Sequence, residues 1–279
     1  MVPKIRSILS KLLFISVVCL LSACAQTDTT DLIAQLSDER SHIRRKAAYT
    51  LIDLGENSVK PIVQVIADAP DTVRYIGAQI LGRIGSPSAS DILLSLAHDP
   101  NPYVKNQALR AIGKIHRPEL VDTLTHFSLH SKTAESRAAA IEGLSSLRDS
   151  STSSTILALM SDPSPLVRKA ALAAIGKQWT HLATQHVIHL VTDTDETVRY
   201  IAVQLCGVRG IKEAAQTLHT ALNDPSIHIR TEATKSVKLL QDTTAIPHLI
   251  TLIKRFDGPD SESALKTLRD LTGNEYIVQ

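Results

Sequence analysis

Residues 193–207 read DTDETVRYIAVQLCG, and variants of this stretch recur along most of the chain. The most regular position in it is a basic residue, Arg199, which has a counterpart in each of seven copies. The seven are Arg44, Arg74, Lys105, Arg137, Arg168, Arg199 and Arg230, separated by 30, 31, 32, 31, 31 and 31 residues. A repeat of this length is typical of solenoids, in which each copy stacks on its neighbours.

The residues around each basic position predict a helix. An Asp stands six positions before the basic residue in every copy except the fourth, which has Ser131. These acidic residues are Asp38, Asp68, Asp99, Asp162, Asp193 and Asp224. In the copy quoted above, Val198, Ala202 and Cys206 follow helical spacing and form one apolar face, with a small residue where two helices cross. Each repeat therefore opens with what we call its first helix.

A second apolar stretch follows each first helix, as at residues 62–66 and 187–191, and predicts a second helix in each repeat. Residues 31–36 resemble an isolated second helix and residues 261–271 an isolated first helix, which would cap the two ends. The composition, 43% hydrophobic but only 3% aromatic, suits helix-on-helix packing. We therefore predict an all-α protein, an α-solenoid of about seven helix pairs with capping half-repeats. One continuous domain is expected over residues 31–279.

The order of Asp, Val-Arg, Ala and Leu-Gly in each copy resembles HEAT-like repeats, especially the class first noted in phycobilisome lyases, over residues 31–273. This resemblance implies hydrogen bonds and ion pairs between the acidic and basic residues of neighbouring repeats. A catalytic pair occurs once, whereas these residues recur in every copy, so we interpret them as a structural ladder and not as a site. The ladder residues are Asp68, Arg74, Asp162, Arg168, Asp193, Arg199, Asp224 and Arg230.

The start of the chain resembles a bacterial lipoprotein signal peptide. Lys4, Arg6 and Lys11 precede an apolar run at residues 12–21, and polar residues follow soon after it. This is the architecture of an export signal, because the run is too short to span a membrane easily. The junction at residues 21–24, Leu-Ser-Ala-Cys, resembles a lipobox, in which the cysteine thiol is alkylated by diacylglycerol before cleavage. The alternative is an ordinary signal peptide followed by a chance cysteine.

These features predict that residues 1–23 are removed and that residues 24–30 form a lipidated Cys24 and a short tether. The multiple acylation implied by the resemblance, which includes palmitate-type chains, would hold the protein stably at a lipid bilayer. Ala25 follows Cys24, and a residue other than Asp there usually permits transfer to the outer membrane. We therefore expect an exported, membrane-anchored lipoprotein, in the outer membrane and facing the periplasm if the organism is diderm.

The charge and cysteine content exclude some classes of partner and cross-link. Removal of the signal peptide would leave 27 basic against 28 acidic residues, so the remaining chain is nearly neutral. Nucleic-acid binding needs concentrated positive charge, and single strands also need stacking aromatics, so we predict no nucleic-acid partner. Cys24 and Cys206 would be the remaining cysteines. Because Cys24 would carry lipid, no internal disulfide is expected.

Common catalytic signatures are missing from the sequence. It contains no Gly-rich phosphate loop, no His-Glu-x-x-His and no Gly-x-Ser-x-Gly. Deoxyhypusine hydroxylase, an enzyme built on HEAT repeats, uses His-Glu dipeptides for its di-iron centre, whereas none of the 11 histidines here precedes a glutamate. We predict no catalytic residues, no cofactor and no enzymatic activity. The alternative is a metal-dependent or lyase-like enzyme on the same repeats.

Two columns of polar residues on the second helices of repeats five to seven form the candidate partner-binding surface. They contain His186, His189, Thr217, Thr220, His248 and Thr251. The resemblance implies that these helices line the concave side. Three interpretations stay open, namely a solvated ridge, a metal site begun by His186 and His189, and a groove that hydrogen-bonds a partner, which we favour. Trp179 either packs between helices or stands exposed as a binding anchor, and we favour packing.

Together these observations predict a membrane-anchored, non-catalytic scaffold of the bacterial cell envelope. Its partners would be the lipid bilayer, through acylated Cys24, and an unknown protein or peptide. A purely structural spacer is the further alternative.

Overall fold

The computed structural model describes residues 29–273, so the predicted signal peptide and Cys24 lie outside the described residues. The described residues form sixteen α-helices, six single-turn 3-10 helices and no strand. The α-helices are α1 (Thr29–Gln35), α2 (Ser41–Asp53), α3 (Glu56–Ile66), α4 (Asp71–Ile84), α5 (Ser90–Leu96), α6 (Pro102–Ile112), α7 (Val121–His130), α8 (Ala134–Leu147), α9 (Ser153–Leu159), α10 (Pro165–Lys177), α11 (Thr184–Leu190), α12 (Glu196–Val208), α13 (Ala215–Ala221), α14 (Ile227–Leu239), α15 (Ile246–Arg255) and α16 (Pro259–Thr272). The predicted all-α solenoid is confirmed.

The helices alternate as the repeat pattern predicts. The first helices are α2, α4, α6, α8, α10, α12 and α14, and each basic marker is the fourth residue of its first helix. The second helices are α3, α5, α7, α9, α11, α13 and α15, while α1 and α16 are the capping half-repeats. Helix α1 begins at Thr29, so the last two residues of the predicted tether are helical.

The described chain forms two compact units that divide between His116 and Arg117. Unit 1 contains α1 to α6, and unit 2 contains α7 to α16. A buried apolar core in unit 2 runs from Ile141 to Ala264 and consists mostly of Ala, Val, Leu and Ile. No helix between residues 29 and 273 is long and apolar enough to cross a membrane.

Neighbouring first helices pack directly on one another within each unit. A β-carbon on Gly207 of α12 would lie 2.7 Å from the α-carbon of Ser236 in α14. Ser236 Oγ also donates a hydrogen bond to the Val203 carbonyl at 2.9 Å. In unit 1, Gly82 of α4 meets Ala111 of α6 in the same way. Glycine is needed at these places because the two helix backbones touch there.

A ladder of arginine and aspartate side chains joins neighbouring repeats within each unit. Arg168 of α10 donates Nη1 to the carbonyls of Asp162 and Pro163, in the loop before its own helix, at 2.9 and 3.1 Å. Its Nε and Nη2 donate to the two carboxylate oxygens of Asp193, 25 residues later, at 2.7 and 2.6 Å. The same two-pronged contact recurs in the pairs Arg74–Asp99, Arg137–Asp162 and Arg199–Asp224. Each guanidinium therefore ties its own loop to the loop of the next repeat.

The two ends of the ladder depart from this arrangement. Asp68 is exposed, and among residues 29–273 its side chain makes no hydrogen bond or ion pair with Arg44. The prediction that Asp68 belongs to the ladder is wrong, because the first repeat is one residue short and Ala69 stands 25 residues after Arg44. At the other end, Arg230 donates Nε to Asp260 of the capping helix α16 at 2.5 Å.

The arginines keep the ladder carboxyl groups ionised. Burial alone would raise the pKa of Asp99, Asp162 and Asp193, but hydrogen bonds from the facing arginine and from a loop N–H hold each pKa below its ordinary value. The side chains of Arg168 and Asp193 are only 11% and 6% exposed. Removal of one partner would therefore leave a charge that water solvates poorly.

Replacing Arg168 with Ala should lower the free energy of unfolding by roughly 1 to 3 kcal/mol, because the Asp193 carboxylate loses both of its guanidinium donors. Lys169 is the matched control, since it is the next residue on α10 and is exposed. Lys169→Ala should stay within about 0.5 kcal/mol of the parent protein. Urea unfolding followed by circular dichroism measures both, and equal stabilities of the two variants would contradict a stabilising ladder.

Candidate functional site

His186 and His189 lie one turn apart on α11, and both side chains are exposed. They line a shallow depression of about 240 Å³ together with Met160, Ser161 and Gln185. His186 Nδ1 lies 3.2 Å from the Leu182 carbonyl, one turn earlier. The remaining ring nitrogens face the outside of unit 2 and can donate or accept hydrogen bonds according to the tautomer.

The three threonines of the candidate surface are also accessible. Thr220 and Thr251 are exposed, and Thr217 is half-buried. The hydroxyls of Thr220 and Thr251 donate to carbonyls four residues earlier in their own helices, at 3.3 and 2.9 Å. Since a hydroxyl oxygen keeps acceptor capacity when its proton is donated, these groups can accept from a bound partner.

His248 differs from the other members of the columns, because it is half-buried and packs on a second imidazole. Its ring stacks on that of His219 with centroids 4.6 Å apart and planes at 25°. His219 is only 5% exposed. Its Nε2 lies 2.7 Å from Oδ2 of Asp242, and Thr244 donates to the other oxygen of this carboxylate from its hydroxyl at 2.5 Å. The His219–Asp242–His248 cluster therefore joins α13 to the start of α15.

Sequence reasoning missed His219 and Asp242, although a signal was present. His219 stands in the column that holds Ile188 in α11 and Ile250 in α15. A histidine in an otherwise apolar column needs a buried polar partner. The partner, Asp242, lies 23 residues away, so only the folded chain identifies it.

The cluster shifts the pKa of two of its members. Burial lowers the pKa of His248 below its ordinary value, and the neighbouring His219 lowers it further. For Asp242, burial opposes ionisation, but hydrogen bonds from Thr244 and His219 hold its pKa below the ordinary value. A charged carboxylate against a buried imidazole is an arrangement that stabilises the contact between repeats six and seven.

The described residues contain no group of three or more His, Cys, Asp or Glu side chains placed to hold a metal ion. The other residues that line the depression of His186 and His189 are uncharged. The one cysteine within residues 29–273 is Cys206, which is fully buried in the core. Burial raises the pKa of its thiol to about 12, so the thiol stays protonated and unreactive at neutral pH.

Trp179 is half-buried and packs against the apolar core of unit 2. The guanidinium of Arg209 lies 5.5 Å from the centre of its ring, and Arg209 also donates to the Gly176 carbonyl. The tryptophan thus sits where the ends of α10 and α12 meet. This placement supports the packing role over the exposed anchor.

The two layers of unit 2 pack differently. First helices approach one another at Gly207 and Ser236, whereas second helices pack mainly on the first helix that follows them. The candidate residues on α11, α13 and α15 therefore lie on the layer whose helices make less contact with one another. That this layer lines a concave side stays a prediction.

The comparisons with known proteins agree with the repeat geometry. The family model described as HEAT repeats matches residues 59–145, 127–204 and 184–269. Protein YibA of Escherichia coli strain K12 is 24% identical over 243 residues, which cover 81% of this chain and 86% of YibA. The YibA protein of Escherichia coli O157:H7 matches with the same values.

Solved structures align with this chain at low identity. The X-ray structure of YibA from Escherichia coli aligns with a TM-score of 0.63 and 23% identity, over 90% of this chain and 95% of that chain. Human deoxyhypusine hydroxylase in complex with glycerol aligns with a TM-score of 0.42 and 19% identity, over 91% and 99% of the two chains. The CpcE–CpcF complex of phycocyanin lyase from Nostoc sp. PCC7120 gives 0.45 and 17%, over 88% and 95%.

The lowered pKa of His248 predicts a specific loss of stability in mild acid. A histidine whose folded pKa is depressed stabilises the fold fully above its unfolded pKa, near 6.5, and loses that contribution as the pH falls towards the folded pKa. The urea midpoint should therefore drop more between about pH 8 and about pH 5 for the parent than for His248→Gln. The histidines outside the His219–Asp242–His248 cluster are common to both proteins and cancel in this difference, which therefore reports on the stacked pair. An equal drop in both would contradict the role of His248.

Proposed function

The chain belongs to the family of HEAT-repeat proteins, and on that basis we propose that it is a non-catalytic scaffold that binds another protein or peptide. Solenoids present rows of side chains from successive repeats, so their affinity comes from many small contacts. The fold alone hosts several functions, and the proposal therefore depends on the side chains that this chain displays.

One observation carries the proposal, namely the division of the repeated polar side chains into two sets. The arginines and aspartates of the ladder are occupied by one another, as in Arg168 with Asp193. The second-helix residues are in register but turn outward, and among residues 29–273 the ring of His189 makes no hydrogen bond. Side chains that recur in register and keep exposed hydrogen-bonding groups are available for recognition.

The chemistry of this surface suits a polar peptide segment. Imidazole and hydroxyl groups can both donate and accept, so they match the alternating N–H and C=O groups of an extended backbone. The depression beside His186 and His189, with Met160 at its wall, is large enough for one side chain of the partner. Its mixed polar and apolar lining resembles the rim and core of small recognition sites.

The lipid anchor belongs to the same proposal and rests on the sequence of residues 1–24. The basic start, the apolar run and the Leu-Ser-Ala-Cys junction support export followed by acylation of Cys24. Attachment of two or three acyl chains would keep the scaffold at the membrane of the bacterial envelope. In a diderm organism the proposed location is the periplasmic face of the outer membrane.

Replacement of Cys24 with Ser should abolish acylation and release the protein from the membrane fraction, since the anchor depends on this thiol. Labelled palmitate and fractionation of cells measure the two effects. Cys206→Ala is the control, because that thiol is buried in the folded protein and should not affect labelling. Labelling of the Cys24→Ser protein would contradict the anchor.

Replacement of His186 and His189 together with Ala should reduce partner capture in native membranes by roughly fivefold or more, the size expected for the loss of two hydrogen bonds. His248 is left in place because its stack on His219 contributes to the fold. Capture is measured by crosslinking in membranes and quantitative mass spectrometry of the crosslinked protein.

The matched control replaces two exposed histidines of first helices, His42 and His228, with Ala. This variant loses the same number of imidazoles but none from the second helices of repeats five to seven. Circular dichroism should show parent-like melting for both variants. Full capture by the folded His186 and His189 variant would show that this surface does not bind the partner.

A further inference from the structure

Unit 1 has a basic depression of about 330 Å³ between α2 and α4. Arg44, Arg45 and Tyr49 line it from α2, and Gln79 and Arg83 line it from α4. Among residues 29–273 no acidic side chain lines it, so three guanidinium groups face a volume to which this part of the chain brings no compensating charge. A concave surface with charge of one sign concentrates ligands of the opposite sign.

Arg44 is the ladder arginine of the first repeat, and its guanidinium is held as in the other repeats. Its Nη1 donates to the carbonyls of Asp38 and Glu39 at 2.7 and 2.8 Å. Arg168 uses its Nη1 in the same way, on the carbonyls six and five residues earlier. The loop therefore fixes the orientation of the Arg44 side chain before any ligand arrives.

The other edge of the Arg44 guanidinium has no acceptor among residues 29–273. In Arg74, Arg137, Arg168 and Arg199 this edge, Nε with Nη2, donates to both oxygens of an aspartate 25 residues later. At that distance from Arg44 the chain has Ala69, which cannot accept from it through a side chain. The first repeat thus keeps the donor half of a carboxylate site and lacks the carboxylate.

Two further features make this depression suitable for a peptide. Arg45 and Arg83 are exposed and make no ion pair within residues 29–273. The Arg83 guanidinium lies 5.7 Å from the centre of the Tyr49 ring, whose side chain is 52% exposed. An aromatic ring ordered by a neighbouring cation offers a flat surface for the apolar part of a bound side chain.

We propose that the basic depression binds an acidic peptide segment and that an Asp or Glu of this segment supplies the carboxylate missing from the first repeat. The carboxylate accepts from Nε and Nη2 of Arg44, while Arg45 and Arg83 neutralise neighbouring acidic residues of the peptide. A carboxylate is favoured over other anions because four arginines of this same column already bind carboxylates with two parallel hydrogen bonds. The site lies in unit 1 and is independent of the proposed His186 and His189 surface in unit 2.

The test is a fluorescence-anisotropy titration of the purified full chain with a dye-labelled peptide of alternating Asp and Gly. An Asn-Gly peptide of the same length is the uncharged comparison. The Asp peptide should bind at least roughly tenfold more tightly than the Asn peptide, and Arg44→Gln and Arg83→Gln should each weaken its binding by roughly tenfold.

Lys46→Gln is the matched control, because Lys46 is exposed on α2 and does not line the depression. This variant removes the same charge and should change the dissociation constant by less than about twofold. Melting by circular dichroism checks each variant. Because Arg83 makes no hydrogen bond within residues 29–273, Arg83→Gln carries the test if Arg44→Gln melts early.

Three outcomes would overturn the proposal. Equal binding of the Asp and Asn peptides would show that the depression does not recognise a carboxylate. An equal loss in Lys46→Gln and Arg83→Gln would show attraction to the whole positive surface and not to this depression. Tighter binding of a phosphoserine-Gly peptide, by roughly tenfold over the Asp peptide, would assign the site to phosphate.

Discussion

Each ladder arginine from Arg74 to Arg230 makes hydrogen bonds in two directions, and the stacking of the repeats depends on this double attachment. Arg168 holds the carbonyls of its own loop and the carboxylate of Asp193 in the next repeat. Both partners are mostly buried, so neither charge can be left alone without a large loss of solvation. Such pairs join neighbouring first helices, and α12 and α14, which Arg199 and Asp224 join in the same way, approach closely enough to need Gly207 opposite Ser236.

The same column of arginines links stability to recognition. Where the ladder aspartate of the following repeat lies 25 residues after the arginine, both edges of the guanidinium donate hydrogen bonds inside the fold. The first repeat is one residue shorter, and the consequence is an oriented guanidinium edge at Arg44 that has no acceptor among the described residues 29–273. A difference of one residue in loop length is enough for this change, because a two-pronged hydrogen bond tolerates little displacement. In our proposal a bound acidic peptide completes the first repeat as Asp193 completes the fifth.

The proposed function combines two recognition surfaces of different chemistry with a lipid anchor. The His186 and His189 surface offers neutral groups that donate and accept hydrogen bonds, whereas the depression around Arg44 offers fixed positive charge. Binding at either surface needs no rearrangement of the ladder, since His186 does not bond to it and the Nε–Nη2 edge of Arg44 has no acceptor within residues 29–273. Tethering to a bilayer would also strengthen binding at these two surfaces, because confinement at the membrane raises the effective concentration of membrane-bound partners.

Periodicity in the sequence determined the helices, the seven repeats, the two caps and most of the ladder, because helical spacing and a fixed loop length leave a direct trace in residue order. It could not determine which layer of unit 2 is tightly packed, since that depends on contacts such as Gly207 with Ser236 between different helices. Nor could it show that Asp68 falls outside the ladder or that His219 pairs with Asp242. Those outcomes depend on distances of a few ångströms between residues far apart in the chain, and only the tertiary structure sets such distances.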